Sequence, residues 1–135
     1  IKKIYNLKII AADQHNSKLF GNSYKKLIKD FGSKKIIRIN LGQKNDSVKS
    51  RMLAFSNLIK KFSILVSKEK PDMLIVYGDR GETLLASFIG VNYSIPIAHF
   101  QGGDLSGNVD EIFRHSITKL SNFHFSSNSI SKERI

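Results

Sequence analysis

Residues 71–82, PDMLIVYGDRGE, decide the fold. Pro71 cannot sit inside a helix, so it closes the helical region before it. The run "DMLIVYGD" is nearly continuous in apolar residues, as expected of a parallel strand covered on both faces. Gly78-Asp79-Arg80-Gly81-Glu82 then leaves the strand and opens a helix. Downstream, residues 82–92 read as a helix, PIAHF at 96–100 as a strand and QGGDLSGN at 101–108 as a glycine-rich loop. Asn108 with Glu111 three residues on forms a capping-box-like start to a helix over 109–120. A short strand at 123–126 and a helix begun near Ser127 or Asn128 follow.

Upstream, the same alternation holds. Residues 7–12 read as a strand, and a polar loop runs from Asp13 to Gly21. A helix over 22–31, with Asn22 or Ser23 as N-cap, sets Tyr24, Leu27, Ile28 and Phe31 on one face and stops at Gly32. Residues 35–40 form a second strand. Asp46 caps a long helix to about Lys68, with Met52, Leu53, Phe55, Leu58, Ile59, Phe62 and Leu65 as its apolar positions. Strands alternating with crossover helices mean an α/β fold with a parallel sheet, and in such sheets ligands sit at the carboxyl ends of the strands. That rule selects three loops: Asp13–Gly21, Gly78–Glu82 and Gln101–Asn108.

Composition narrows the classes further. A chain of 135 residues with 41% hydrophobic content is one domain or a piece of one, and is too apolar for a disordered chain. With no cysteine, disulfide scaffolds, thiolate nucleophiles and Cys-ligated zinc or iron–sulfur sites are excluded. A reducing compartment is compatible, and a cytoplasmic location is expected. The opening IKKIYNLKII lacks a small-residue cleavage site and does not read as a signal peptide. The longest uncharged stretch, residues 84–101, contains Asn92, Ser94 and Pro96 and reads as helix then strand rather than a membrane span. The formal net charge is +11, but the lysines are scattered and no RNA-binding aromatic signature or helix-turn-helix pattern accompanies them. No nucleic-acid or membrane partner is expected; the positive field suits a small anionic substrate equally well.

The selected loops hold the candidate chemistry. Asp79, at a strand tip, can act as acid, base or acceptor for a sugar hydroxyl, and Arg80 can pair with a phosphate; alternatively Asp79 or Glu82 caps the helix and Arg80 points to water. His99, Gln101 and Asp104 crowd the next turn, with an interior histidine and a turn aspartate as the plain alternatives. Asp110 and Arg114 share a helix face at i,i+4, as do Glu111 and His115. Asp110 also lies in the first helical turn, at the positive end of the helix dipole. His115 reads as either a phosphate donor or a packed residue. His124, in FHF, reads as a core histidine or a site residue, and His15 lies in the loop after the first strand. No HExxH, Walker A or GxSxG motif is present, and the histidine spacing argues against a metal site.

The blocks PDMLIVYGDRGETLLAS, IPIAHFQGGDLSGNVDE and RHSITKLSNFHF, in this order, resemble the UDP-N-acetylglucosamine 2-epimerase family, and its hydrolysing branch most nearly; QHNSKLFGNSY extends the likeness upstream. The resemblance implies a Rossmann-like N-terminal domain of a GT-B-type two-domain enzyme, with a UDP-sugar between the domains and no cofactor or metal. It implies elimination of UDP to a glycal, then addition of water to give N-acetylmannosamine for sialic-acid-type sugars. By similarity Asp79, Asp110, Gln101 and Asp104 are catalytic positions. Arg80, His99, Arg114 and His124 match substrate-binding ones, and His115 and His15 are further substrate-binding candidates from the residues themselves. At Gln101 many hydrolysing members have a glutamate, and Asn122 replaces a frequent histidine. The alternatives are a UDP-2,4-diacetamido sugar as substrate, the non-hydrolysing reaction, and a non-catalytic nucleotide-sugar-binding domain. The full-length protein is expected to be a homo-oligomer.

Family members have well over twice this length, so residues 1–135 are expected to be an incomplete N-terminal domain lacking its first strand and the C-terminal domain. In the order 3-2-1-4-5-6 that strand belongs between those at 7–12 and 73–77. Residues 1–135 alone are therefore expected to be poorly stable and inactive; a cooperative melt together with UDP release from the sugar nucleotide would refute this.

Overall fold

A computed structural model describes residues 5–12 and 23–135. The chain forms two compact units, Ile1–Asn57 and Leu58–Ile135. The first holds β1 (Ile9–Ala12), α1 (Tyr24–Phe31), a 3₁₀ turn (Ser33–Lys35), β2 (Ile36–Ile39) and the start of α2 (Val48–Glu69). The second holds the remainder of α2 and then β3 (Leu74–Tyr77), α3 (Gly81–Asn92), β4 (Ile97–Phe100), α4 (Val109–Leu120), β5 (Phe123–Phe125) and α5 (Ser129–Arg134). The class is α/β with parallel sheets, as the alternation of elements predicts. No helix among the described residues is long and apolar enough to cross a membrane.

In the first unit β1 and β2 pair in parallel, Ile9 opposite Ile36 through Ala12 opposite Ile39. Ala11, Ile36, Ile39, Leu41 and Ala54 are buried there. Gly32 ends α1 with φ +81°, the left-handed region that a residue without Cβ enters freely. Ser23, by contrast, makes no side-chain cap bond. At α2 the capping group is Ser47 rather than Asp46: its hydroxyl accepts the Ser50 N–H at 3.2 Å. The buried positions of α2 are Ala54, Leu58, Phe62 and Val66, a single row at steps of four, while Met52, Leu53 and Ile59 are exposed. The helix carries more apolar residues than one row can bury, so the stripe read from the sequence is too wide.

In the second unit the order is β3-β4-β5, all parallel. Helices α3 and α4 pack on one face, where Val76, Ile97 and Ile117 form the core with Leu74 and Leu84 against it. Gly90 allows α3 to approach closely: a Cβ there would meet Leu74 Cδ1 at 2.8 Å. Alternate strand residues point to opposite faces. Ile75, Tyr77, Phe123 and Phe125 therefore project the other way and are exposed, so the expectation that β3 is covered on both faces is not met among the described residues. Phe100 and Phe125, opposite one another in the register, stack with ring centroids 4.3 Å apart.

Asn122 joins β5 to the start of β4. Its Oδ1 accepts the Ile97 N–H at 2.9 Å, and its own N–H donates to the Ile97 carbonyl at 2.8 Å. Ile97 is fully buried, so its N–H has no water to fall back on. Replacing Asn122 with Ala strands that donor and should cost about 1–3 kcal/mol, read as a lower urea midpoint at unchanged m-value.

Candidate functional site

The carboxyl ends of β3 and β4 and the amino end of α4 meet around Arg114. Its side chain is 9% exposed. One arm, Nη2, donates to Asp79 Oδ2. The other, Nη1, donates to the Asp104 carbonyl at 2.6 Å and lies 3.4 Å from Ser106 Oγ. Asp79 follows β3 and Asp104 follows β4, so one guanidinium holds both strand tips. The i,i+4 pair of Asp110 and Arg114 is not formed: Arg114 turns inward to the Asp79 carboxylate and the Asp104 carbonyl. Asp110 stands one turn earlier on α4, partly exposed, with no ion pair among the described residues.

α4 begins as its sequence requires. Asn108 Oδ1 accepts the N–H of Asp110 and of Glu111. Glu111 reaches past the N-cap: one oxygen, Oε2, accepts the Ser106 N–H at 2.5 Å and the Gly107 N–H at 2.6 Å. Those two donors hold its carboxyl below the ordinary glutamate range. Its other oxygen lies 3.8 Å from His115 Nε2. His115 is therefore turned to its own helix rather than to Arg114.

His99 is fully enclosed. Nε2 lies 2.9 Å from the Gly78 carbonyl and Nδ1 3.2 Å from Thr118 Oγ1. A carbonyl only accepts, so Nε2 carries the proton and Nδ1 accepts from the threonine hydroxyl. Burial pushes the imidazole below its ordinary value, against the pull of the Gly78 carbonyl. The interior reading of His99 is the one its surroundings support: a neutral ring that fastens the tip of β3 to β4 and α4. His124, its neighbour in the register, is exposed on β5 and is not a core histidine. His15 lies outside the described residues.

Gln101 leaves β4 at φ +63° with its residue exposed. Its N–H donates to the Phe125 carbonyl at 2.9 Å. The carboxylate of Asp104 meets two hydroxyls. The hydroxyl of Ser131 donates to its Oδ1, and that of Ser127 lies 3.2 and 3.3 Å from its two oxygens. These hydroxyls, Ser131 first, keep its carboxyl below the ordinary aspartate range. Gly103, at φ +87°, lies so near the Ser131 carbonyl that a Cβ would sit 2.2 Å from it. Arg80, in the loop after β3, is exposed, and its Nε lies 3.4 Å from Glu82 Oε2. Sequence reasoning missed Thr118, Ser127 and Ser131; the four-residue spacing of the two serines beside an Asn N-cap was the available signal. Two open hollows of about 410 and 420 Å³ lie elsewhere, one beside Pro71 and Pro96 at the amino ends of the strands and one along β5. No cluster of three or more metal-ligating side chains occurs among the described residues.

The sequence profile described as UDP-N-acetylglucosamine 2-epimerase matches residues 2–135. The chain belongs to the UDP-N-acetylglucosamine 2-epimerase family. Within that family it is 40% identical over 136 residues to a GDP/UDP-N,N'-diacetylbacillosamine 2-epimerase (hydrolyzing) of Campylobacter jejuni, covering 98% of this chain and 34% of that protein. It is 35% identical over 131 residues to the UDP-N,N'-diacetylbacillosamine 2-epimerase (hydrolyzing) of Legionella pneumophila, covering 96% and 34%. The chain thus spans about a third of the length of these relatives. The fold of the UDP-N-acetylglucosamine 2-epimerase from Neisseria meningitidis, solved with UDP-GlcNAc bound, superposes with a TM-score of 0.76 at 24% identity, over 94% of this chain and 33% of that one. The family architecture is GT-B-type, and the chain corresponds to its N-terminal region.

His99 makes stability depend on pH in a definite direction. Its folded-state value lies below the unfolded one of about 6.5, so stability is complete above that and falls as pH drops and the unfolded chain takes up the proton. The melting temperature should fall from pH 7.5 to 5.5, and His99→Gln should flatten that dependence while lowering the melting temperature at pH 7.5.

Proposed function

We propose that this chain supplies the elimination site of a hydrolysing UDP-N-acetylhexosamine 2-epimerase. The observation that carries the reading is the contact of Asp79 with α4 through Arg114, one helical turn from Asp110. The reaction requires a carboxylate to take the C2 proton of the sugar while the bond from C1 to the UDP oxygen breaks, leaving a glycal and UDP. Water then adds at C1, and a proton returns to C2 from the opposite face, giving the free 2-epimer. Asp79 and Asp110 carry these transfers, since carboxylates serve as both acid and base. Gln101 cannot exchange a proton usefully; exposed at the strand tip, it hydrogen-bonds a sugar hydroxyl or the water. Arg80 meets the diphosphate, where a planar guanidinium can bind two oxygens at once.

In this reading Asp104, His99 and Arg114 shape the site, their polar atoms being engaged within the protein. His15, His115 and His124 are kept as substrate-side residues only if the sugar nucleotide reaches them. Supporting a 2,4-diacetamido sugar as substrate over UDP-GlcNAc is the 40% and 35% identity to proteins named for N,N'-diacetylbacillosamine, against 32% to the Neisseria meningitidis UDP-N-acetylglucosamine 2-epimerase.

The test is to incubate the intact gene product carrying this sequence with each sugar nucleotide in oxygen-18 water. Free 2-epimer labelled at C1, with UDP, is expected. An unlabelled UDP-linked epimer would show the non-hydrolysing reaction, and UDP binding without turnover would show a binding module. Asp79→Asn should lower kcat by about 10²–10⁴-fold, the usual share of a general acid or base, and Gln101→Ala by less.

A further inference from the structure

Glu111 and Arg114 grip the same loop from one helix. Arg114 takes the Asp104 carbonyl at the loop's start, and Glu111 takes the Ser106 and Gly107 N–H groups at its end. Ser106 is common to both, since its Oγ also lies 3.4 Å from Arg114 Nη1. Three residues apart, the two side chains lie on one helix face. The guanidinium arm that reaches Asp79 belongs to a side chain whose other arm is seated by this loop, so loop position and Asp79 position are linked through a single planar group. Both loop N–H groups fall on one oxygen of Glu111, a geometry that an amide oxygen reproduces without a charge.

We infer that Glu111 is a positioning residue for the epimerase chemistry: it seats loop 104–107, and through it Arg114 and the carboxylate of Asp79. This rests on the functional reading above. Glu111 itself touches no reacting atom and transfers no proton.

The experiment compares Glu111→Ala and Glu111→Gln in the intact gene product, with activities expressed per folded molecule. The alanine variant should lose about 10²-fold in kcat with little change in KM, the size expected when a reacting group is displaced by about 1 Å. The glutamine variant should recover most of the loss. Equal losses in both variants would make the carboxyl a proton-transfer group, and an unchanged kcat in the alanine variant would leave it a helix cap alone; either result overturns the inference. A second readout is independent of turnover. With labelled arginine, the Nη protons of Arg114 should be resolved and slow to exchange in wild type and Glu111→Gln, and averaged in Glu111→Ala. Absence of turnover in wild type would overturn the functional reading, while the Arg114 signals would still decide the role of Glu111. Unaltered Arg114 signals in Glu111→Ala would refute the positioning role.

Discussion

A guanidinium that is nearly out of contact with water must be surrounded by acceptors, because removing an ion from water costs several kcal/mol unless geometry and hydrogen bonds compensate. Arg114 meets this demand with a carboxylate, a main-chain carbonyl and a hydroxyl. Its partners come from two loops that are 25 residues apart in sequence, at Asp79 and Asp104. If the Asp79 loop moves away the charge is left unpaired, and if the Asp104 loop does, a buried guanidinium arm loses its acceptors. The contact between the Asp79 loop and α4, the helix on which Asp110 stands, follows from that constraint.

α4 is the element on which the rest is hung. Asn108, Glu111, Arg114 or His115, and Thr118 recur at three- and four-residue steps, so they form one stripe. Asn108 and Glu111 satisfy main-chain donors at the helix start, Arg114 holds the strand tips, and Thr118 donates its hydroxyl to Nδ1 of His99, whose tautomer the Gly78 carbonyl fixes. Neutral His99 performs at the β3 tip, from beneath, what charged Arg114 performs from the side.

The strands and helices were legible because each is bounded by a residue with a physical reason to be there: Pro71 before β3, Gly32 after α1, Asn108 before α4. The loops of the site were legible from their place after parallel strands. What lies between the loops was not. Local spacing paired Arg114 with Asp110, but the structure gives it Asp79, 35 residues away, because burial favours the acceptors already inside. His124 read as a core histidine or a site residue, and β5, at the edge of the described sheet, leaves it exposed. Apolar spacing widened the stripe of α2, since periodicity counts residues that a helix can expose at little cost. Asp104, read as a reacting acid, is occupied by the hydroxyls of Ser127, just before α5, and of Ser131 within it, more than twenty residues on.

The contact at Gly103 has an evolutionary and engineering corollary. There the last helix is seated main chain against main chain, with no gap for even a methyl group. Seated by this main-chain contact and by the Ser131 hydroxyl on Asp104, the helix is indifferent to most of what it carries outward, so its surface letters are free to drift while its placement stays fixed. A library randomised across the outward positions of α5 should therefore yield folded clones readily, whereas a one-residue insertion ahead of Ser131 would misplace the carboxylate of Asp104 at once.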